Sequence, residues 1–290
     1  MERRLLERVR RWLRRLGRRL KSRRFVYTDS TVVEVYLWSV INDRPTCWAC
    51  DAENWRGVTR PPGLPSPAQM SRRLRTSSVA RLVRRLERWV LREGRRPTLA
   101  CVIDGHALEI APHSADRHAG YGRSRRGMGK GYKLHAVIDL NGTIWSYRVT
   151  PMNRDERAMA RRMRRELPST CYLLADANYD SNNVFRELRE RDIQLVAPRR
   201  ERAAHQGIGH HRQDPGRLRC IDLLENGVSN FGRELLATRR RIEGFFGSMC
   251  SHANGLGPLR SWVRSYPRVR AWVQTKLIIN ELRKEIIADE

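Results

Sequence analysis

The sequence predicts an α/β domain on a mixed five-stranded sheet with flanking helices, preceded by an all-α N-terminal region. Three observations predict it. Residues 25–96 keep helical periodicity apart from one proline-rich break. From residue 97, short apolar runs bounded by turn residues take over. After an opening hairpin these runs alternate with amphipathic helical segments, which is how parallel strands and their crossovers read.

Residues 1–24, MERRLLERVRRWLRRLGRRLKSRR, form a basic arm with 12 cations and 2 anions. Leu5, Leu6, Val9, Trp12, Leu13, Leu16 and Leu20 recur at helical spacing, so the arm is an amphipathic helix. It either tracks phosphates with its arginines or packs its leucine stripe on the next domain, and both readings stand. Arginines break every apolar stretch, which argues against a secretory signal. DSTVVEVYLWSVIND then opens a helix, with Asp29 or Ser30 as its N-cap. TRPPGLPSP (59–67) breaks the pattern, and AQMSRRLRTSSVARLVRRLERWVLREG resumes it. A helix, a proline turn and an arginine-rich helix make 25–96 a candidate DNA-binding region, although any helical domain reads the same way.

PTLACVID (97–104) is an apolar strand ending in Asp104. GYKLHAVIDLNGTIWSYRVT (131–150) is two strands around an Asn-Gly turn. RDERAMARRMRREL (154–167) is a helix, and TCYLLADANY (170–179) is a strand with Asp176 at its end. SNNVFRELRERD (181–192) and IQLVAP (193–198) add a helix and the fifth strand. Residues 199–232 are polar with weak periodicity and read as an irregular basic insertion. RELLATRRRIEGFFGSMC (233–250) reads as one helix, and YPRVRAWVQTKLIINELRKEII (266–287) as the closing helix of a domain spanning 97–290.

The 290 residues hold 58 basic and 31 acidic side chains, a net charge of +27. That excess points to a polyanionic partner, with nucleic acid ahead of membrane. The basic side chains are 53 arginines and 5 lysines. A G+C-rich genome accounts for that ratio but not for the excess of cations. The longest apolar run, VYLWSVI (35–41), is far short of the ~20 residues a bilayer span needs. Six scattered cysteines, several in apolar strands, fit a reduced, cytoplasmic setting.

Ligands of open α/β sheets gather at the carboxyl ends of the strands. Asp104 and Asp176, leaving neighbouring strands, would share one crevice. Close carboxylates repel unless a cation sits between them, and Mg²⁺ or Mn²⁺ suits oxygen donors. Glu243 is the best third acid, because it borders an apolar helix face of Ile242, Phe245, Phe246 and Met249. Arg239, one turn earlier, shares its face and suits a phosphate or the orientation of that carboxylate. Each acid also has an ordinary reading. A strand-end aspartate is often a turn residue, as Asp139 in DLNG is read here, and a helix glutamate is often solvated.

GRSRRGMGKG (122–131) fails as a phosphate loop, because Met128 follows Gly127 and no hydroxyl residue follows Lys130. It reads as a flexible basic loop whose Arg123, Arg125, Arg126, Lys130 and Lys133 are candidates to track a DNA backbone. Cys47 and Cys50 form a CxxC without a second pair, and HHRQD (210–214) reads as a solvated loop.

VIDGHAL (102–108), GYKLHAVIDLNG (131–142), LLADANYDS (173–181) and RRRIEGFFGSM (239–249) together resemble the DDE transposases of bacterial insertion sequences, in the families numbered four and five. LPSPAQMSRRL (64–74) is similar to the N-terminal helical segment of that group. The resemblance implies a ribonuclease-H-like fold, two Mg²⁺ or Mn²⁺ ions and metal-dependent cutting and joining of DNA. Its partners would be the element's terminal inverted repeats and the target DNA, bound by a homodimer in a bacterial, nucleoid-associated setting. It also implies catalytic, metal-holding roles for Asp104, Asp176 and Glu243, with Arg239 on the helix arginine. Leu236 and Cys250 stand where family four has a tyrosine and a basic residue, so the chain looks closer to family five. His106 also departs from the small or hydroxyl residue expected there. Three other readings remain: a nuclease of the same fold that does not join strands, a DNA-binding protein descended from a transposase, and a membrane-surface protein using the 1–24 helix.

Overall fold

The computed structural model describes residues 1–17, 26–93, 95–124, 127–200, 212–226, 230–251 and 255–290. In chain order its helices and strands are α1 (Glu2–Gly17), α2 (Asp29–Ile41), α3 (Pro67–Arg73), α4 (Ser77–Glu93), β1 (Ala100–Glu109), β2 (Gly120–Ser124), β3 (Gly127–Asp139), β4 (Ile144–Pro151), α5 (Glu156–Met163), β5 (Tyr172–Leu174), α6 (Asn182–Arg189), β6 (Gln194–Val196), α7 (Pro215–Ile221), α8 (Phe231–Ala237), α9 (Arg240–Cys250) and α10 (Tyr266–Ala288). They form two compact units. One holds Met1–Gly94, Met249–Leu256 and Trp262–Glu290, and the other Arg95–Ser248 and Gly257–Ser261.

The first unit is helical. Leu5, Leu6, Val9, Trp12, Leu13 and Leu16 of α1 are buried, and α1 packs on α2, α4 and α10. Its arginines turn outward into ion pairs, Arg4 with Glu290 and Arg8 with Asp289. Arg10 donates to Glu34 at 2.7 Å. Of the two readings of the arm, packing therefore holds for residues 2–17, and the apolar face a membrane helix would need is covered. Residues 18–24 lie outside the described residues. The N-cap of α2 is Thr28, one residue before the expected pair, and it accepts from Thr31 N at 3.1 Å. Asp29 is instead tied to Arg73. α3 starts with a full capping box between Ser66 and Gln69. α4 buries Val79, Leu82, Leu86 and Val90 and exposes Arg81, Arg84, Arg88 and Arg92. α10 was expected to close the second domain, but it groups with these helices. Val269, Val273, Leu277, Ile278 and Leu282 bury it on several sides, so it needs helical neighbours all round.

The second unit is built on one mixed sheet. β1 runs antiparallel to β3 and parallel to β5, β3 antiparallel to β4, and β5 parallel to β6. The strand order β4-β3-β1-β5-β6 is the mixed, ribonuclease-H-like arrangement that was expected. The β3–β4 turn is the expected one. Asp139 accepts from Asn141 N at 2.8 Å and Thr143 N at 2.9 Å, and Gly142 takes φ +78°.

Four expectations need correction. β1 does not end at Asp104 but continues to Glu109, because β3 pairs with it along its whole length. The segment read as a loop is a sixth strand, β2, in a hairpin with the start of β3. Its period of two was hidden by four glycines. The insertion read as irregular carries α7 and the first two residues of α8, with Asp214 as N-cap and Pro215 at the first helical position of α7. The helix read over 233–250 breaks at Thr238, whose Oγ1 donates to Leu235 O at 2.7 Å.

Leu6 is fully buried. Leu6→Ala is expected to lower unfolding stability by roughly 2–5 kcal/mol in urea titrations. A change near zero would mean that α1 is an accessory arm.

Candidate active site

The sheet sets the site. β1 and β5 pair in parallel as far as Val102 and Leu174. Asp104 and Asp176 each lie two residues past that last pair. Adjacent parallel strands thus deliver both acids at the same level, and each shares the face of the strand residue two before it. The lengthened β1 keeps this level, because its edge towards β5 is unpaired beyond Val102.

Local contacts orient each acid. Asp104 Oδ1 accepts from Gly105 N at 2.7 Å. Asp176 caps the short turn Ala177–Tyr179, accepting from Asn178 N at 2.9 Å and Asn178 Nδ2 at 3.2 Å. Burial pushes the Asp104 carboxyl up to about 6. The charges of Asp176 and Glu156 push the same way, opposed by the Gly105 N–H and Arg239.

The third acid arrives on α9. His106 follows Asp104 on the same face of β1 and stacks on Phe246, with ring centroids 4.9 Å apart at 24°. Ile242, Phe245 and Phe246 are buried. Arg239 sits in the break before α9. It lies 3.6 Å from Asp104 Oδ2 and donates to Glu243 Oε1 at 2.9 Å. One guanidinium therefore bridges the strand acid and the helix acid. The Glu243 side chain is 51% exposed against 21% for Asp104. Among the described residues, no three His, Cys, Asp or Glu side chains stand together as a ready-made metal cluster.

The basic candidates disperse. Arg123 is exposed on β2. Lys130 donates to Ser114 O at 2.7 Å, and Lys133 pairs with Glu156 at 2.7 Å. Arg125 and Arg126 lie outside the described residues. A cleft lined by Arg199, Arg233, Arg239 and Arg240 adjoins the acids through Arg239. His106, the departure from the expected residue type, seats a helix through its stack on Phe246. Cys47 and Cys50 flank a single short turn, and Asp214 of HHRQD caps α7. Sequence reasoning missed Glu156 and Tyr179. Glu156 looked like an ordinary first-turn acid, and Tyr179 lay unremarked inside LLADANYDS.

The transposase DDE domain family matches residues 95–279, more than half of the chain. The chain belongs to that family. No curated protein matches it. Among solved structures it is similar to a chain in the crystal structure of a pre-cleavage Mos1 transpososome, at 11% identity over 97% of this chain and 86% of that one, with a TM-score of 0.19. That likeness is too slight to bear on the fold. The match to the DDE domain family takes in the whole of the sheet unit and all four residues just described, Asp104, Asp176, Arg239 and Glu243. No described helix is long and apolar enough to cross a membrane.

A carboxyl whose folded pKa is raised makes the folded state bind more protons between the two pKa values, so stability falls as pH rises from about 4 to about 6. Asp104→Asn removes that loss. In chelator, the variant is expected to match the parent at pH near 4 and to exceed it by roughly 1–3 kcal/mol above pH 6, by urea unfolding. Equal stability at both ends would show that Asp104 is not desolvated.

Proposed function

We propose that this chain is a transposase that cleaves the ends of its element and joins them to target DNA. Asp104, Asp176 and Glu243 are its catalytic, metal-holding carboxylates. The observation that carries the reading is the level placement of two aspartates just past the last pair of the parallel strands β1 and β5, with Arg239 reaching from one of them to Glu243. Family membership supports the transposition chemistry in general terms.

The donors fit divalent cations. Carboxylate oxygens are hard ligands suited to Mg²⁺ or Mn²⁺. Burial makes Asp104 ionise reluctantly, the charges of Asp176 and Glu156 add to that, and the Arg239 guanidinium already stands beside it and Glu243. Asp104, Asp176 and Glu243 would hold two such ions. When bound, the pair supplies an activated water or 3′-hydroxyl nucleophile and stabilises the leaving oxygen. The chain's own groups do the rest. The strand ends fix the separation of the two aspartates. Arg239 orients Glu243 and offers its remaining N–H groups to a DNA phosphate. Arg123, Lys130 and Lys133 on β2 and β3 add backbone contacts, Lys130 and Lys133 by exchanging their present partners for phosphate. The exposed arginines of α4 mark the helical region as a DNA-binding surface. The partners are the terminal repeats and target DNA, bound by two copies of the chain.

A DNA-binding protein descended from a transposase is the second reading. What favours it is that Asp104 and Glu243 both face Arg239, and that no three acids stand as a cluster among the described residues. Cleavage and strand-transfer assays on DNA carrying the element's ends separate the readings. Asp104→Asn, Asp176→Asn and Glu243→Gln are each expected to lower Mg²⁺-dependent cleavage by about a hundredfold or more. DNA binding should persist and weaken steeply with salt. Cleavage retained in any variant removes that residue from the set, and cleavage without joining leaves a nuclease.

A further inference from the structure

Glu156 stands outside the three carboxylates assigned above, yet it belongs to their surroundings. It opens α5, where Asp155 caps the helix by accepting from Ala158 N at 2.9 Å. Its Oε1 accepts from Lys133 Nζ at 2.7 Å, and the two side chains are only 15% and 13% exposed. A Cβ built on Gly105 would lie 2.8 Å from Glu156 Oε1 and 2.9 Å from Lys133 Cδ. The pair therefore lies directly against β1, one residue from Asp104. Side chains alternate along a strand, so Glu156 meets β1 on the face opposite to Asp104. β5 ends at Leu174, which leaves the edge of β1 open at this level, and groups on the two faces reach the same edge.

Tyr179 is the second, independent observation. It is wholly buried, and its hydroxyl makes no hydrogen bond. Burial above all pushes its phenol up, and the charges of Glu156, Asp104, Asp176 and Asp155 add to it in that order. Buried polar groups are nearly always satisfied, so an unpartnered phenol among four carboxylates faces a site arranged for something else to complete.

We propose that Glu156 is a fourth cation-holding carboxylate of this site, kept off Asp104 and Asp176 by its ion pair with Lys133. This rests on the metal-dependent reading above. A divalent ion at the strand ends competes with the ammonium for the carboxylate, and its arrival frees Lys133.

The test is Mn²⁺ titration of the full chain without DNA at neutral pH, with free ion followed by electron paramagnetic resonance. Glu156→Gln is expected to weaken Mn²⁺ binding by about tenfold or more. Lys133→Gln, which breaks the same ion pair but leaves the carboxylate, is expected to bind Mn²⁺ at least as tightly as the parent. Both variants lose one interaction, so a shared folding defect cancels in their comparison. Unchanged binding in Glu156→Gln, or equal weakening in both variants, overturns the assignment and makes the pair structural. A parent chain that binds no Mn²⁺ at all overturns the metal-dependent reading itself.

Discussion

Two carboxylates held level at the end of a parallel strand pair, one of them desolvated by burial, are the constraint on which the candidate site depends. Two aspartates at one level cannot move apart, because the hydrogen bonds of β1 to β3 and of β5 to β6 fix their backbones. Water cannot fully screen them, because Asp104 is largely buried. The fold answers with Arg239 near Asp104 and with backbone and side-chain N–H groups at both acids. These only partly offset the cost of ionising Asp104, since burial first, and the charges of Asp176 and Glu156 after it, still hold its carboxyl up at about 6. A site left short of positive charge is one that gains most from binding it.

The same constraint explains how the other groups are arranged. α9 must bring Glu243 to a strand end without burying it. His106 stacked on Phe246 supplies the seat, and the break at Thr238 frees Arg239 to turn towards the sheet. On the opposite face Lys133 neutralises Glu156. Each acid thus has a cation or N–H donors of its own, and the guanidinium is shared.

In the helical unit, charge is handled differently. Two of its buried cations are locked within the unit: Arg73 to Asp29, and Lys276 to Val40 O at 2.9 Å and Asp43 at 3.5 Å. Its many other arginines decorate surfaces whose reverse sides form the core. A chain of +27 folds because most of that charge stays in water, where like charges are screened.

Much of this was legible in the order of residues. Continuous apolar runs leading to Asp104 and Asp176, the Asn-Gly hairpin and the amphipathic α1 follow from local chemistry, which a linear reading captures. The extension of β1, the hairpin of β2, the break before α9 and the grouping of α10 with the N-terminal helices did not, because each is decided by a partner distant in sequence. Glu156 and Tyr179 were invisible for the same reason. Nothing near Glu156 in the chain distinguishes it from a solvated helix acid, and only the packing of α5 against Gly105 brings it to the site. Residue pattern alone therefore determined the class of fold, the excess of cations and the candidate acids, since these depend on local periodicity and composition. Tertiary structure alone decided which acids share a level and which cation each one faces, since strand register and side-chain burial arise from contacts between segments far apart in the chain.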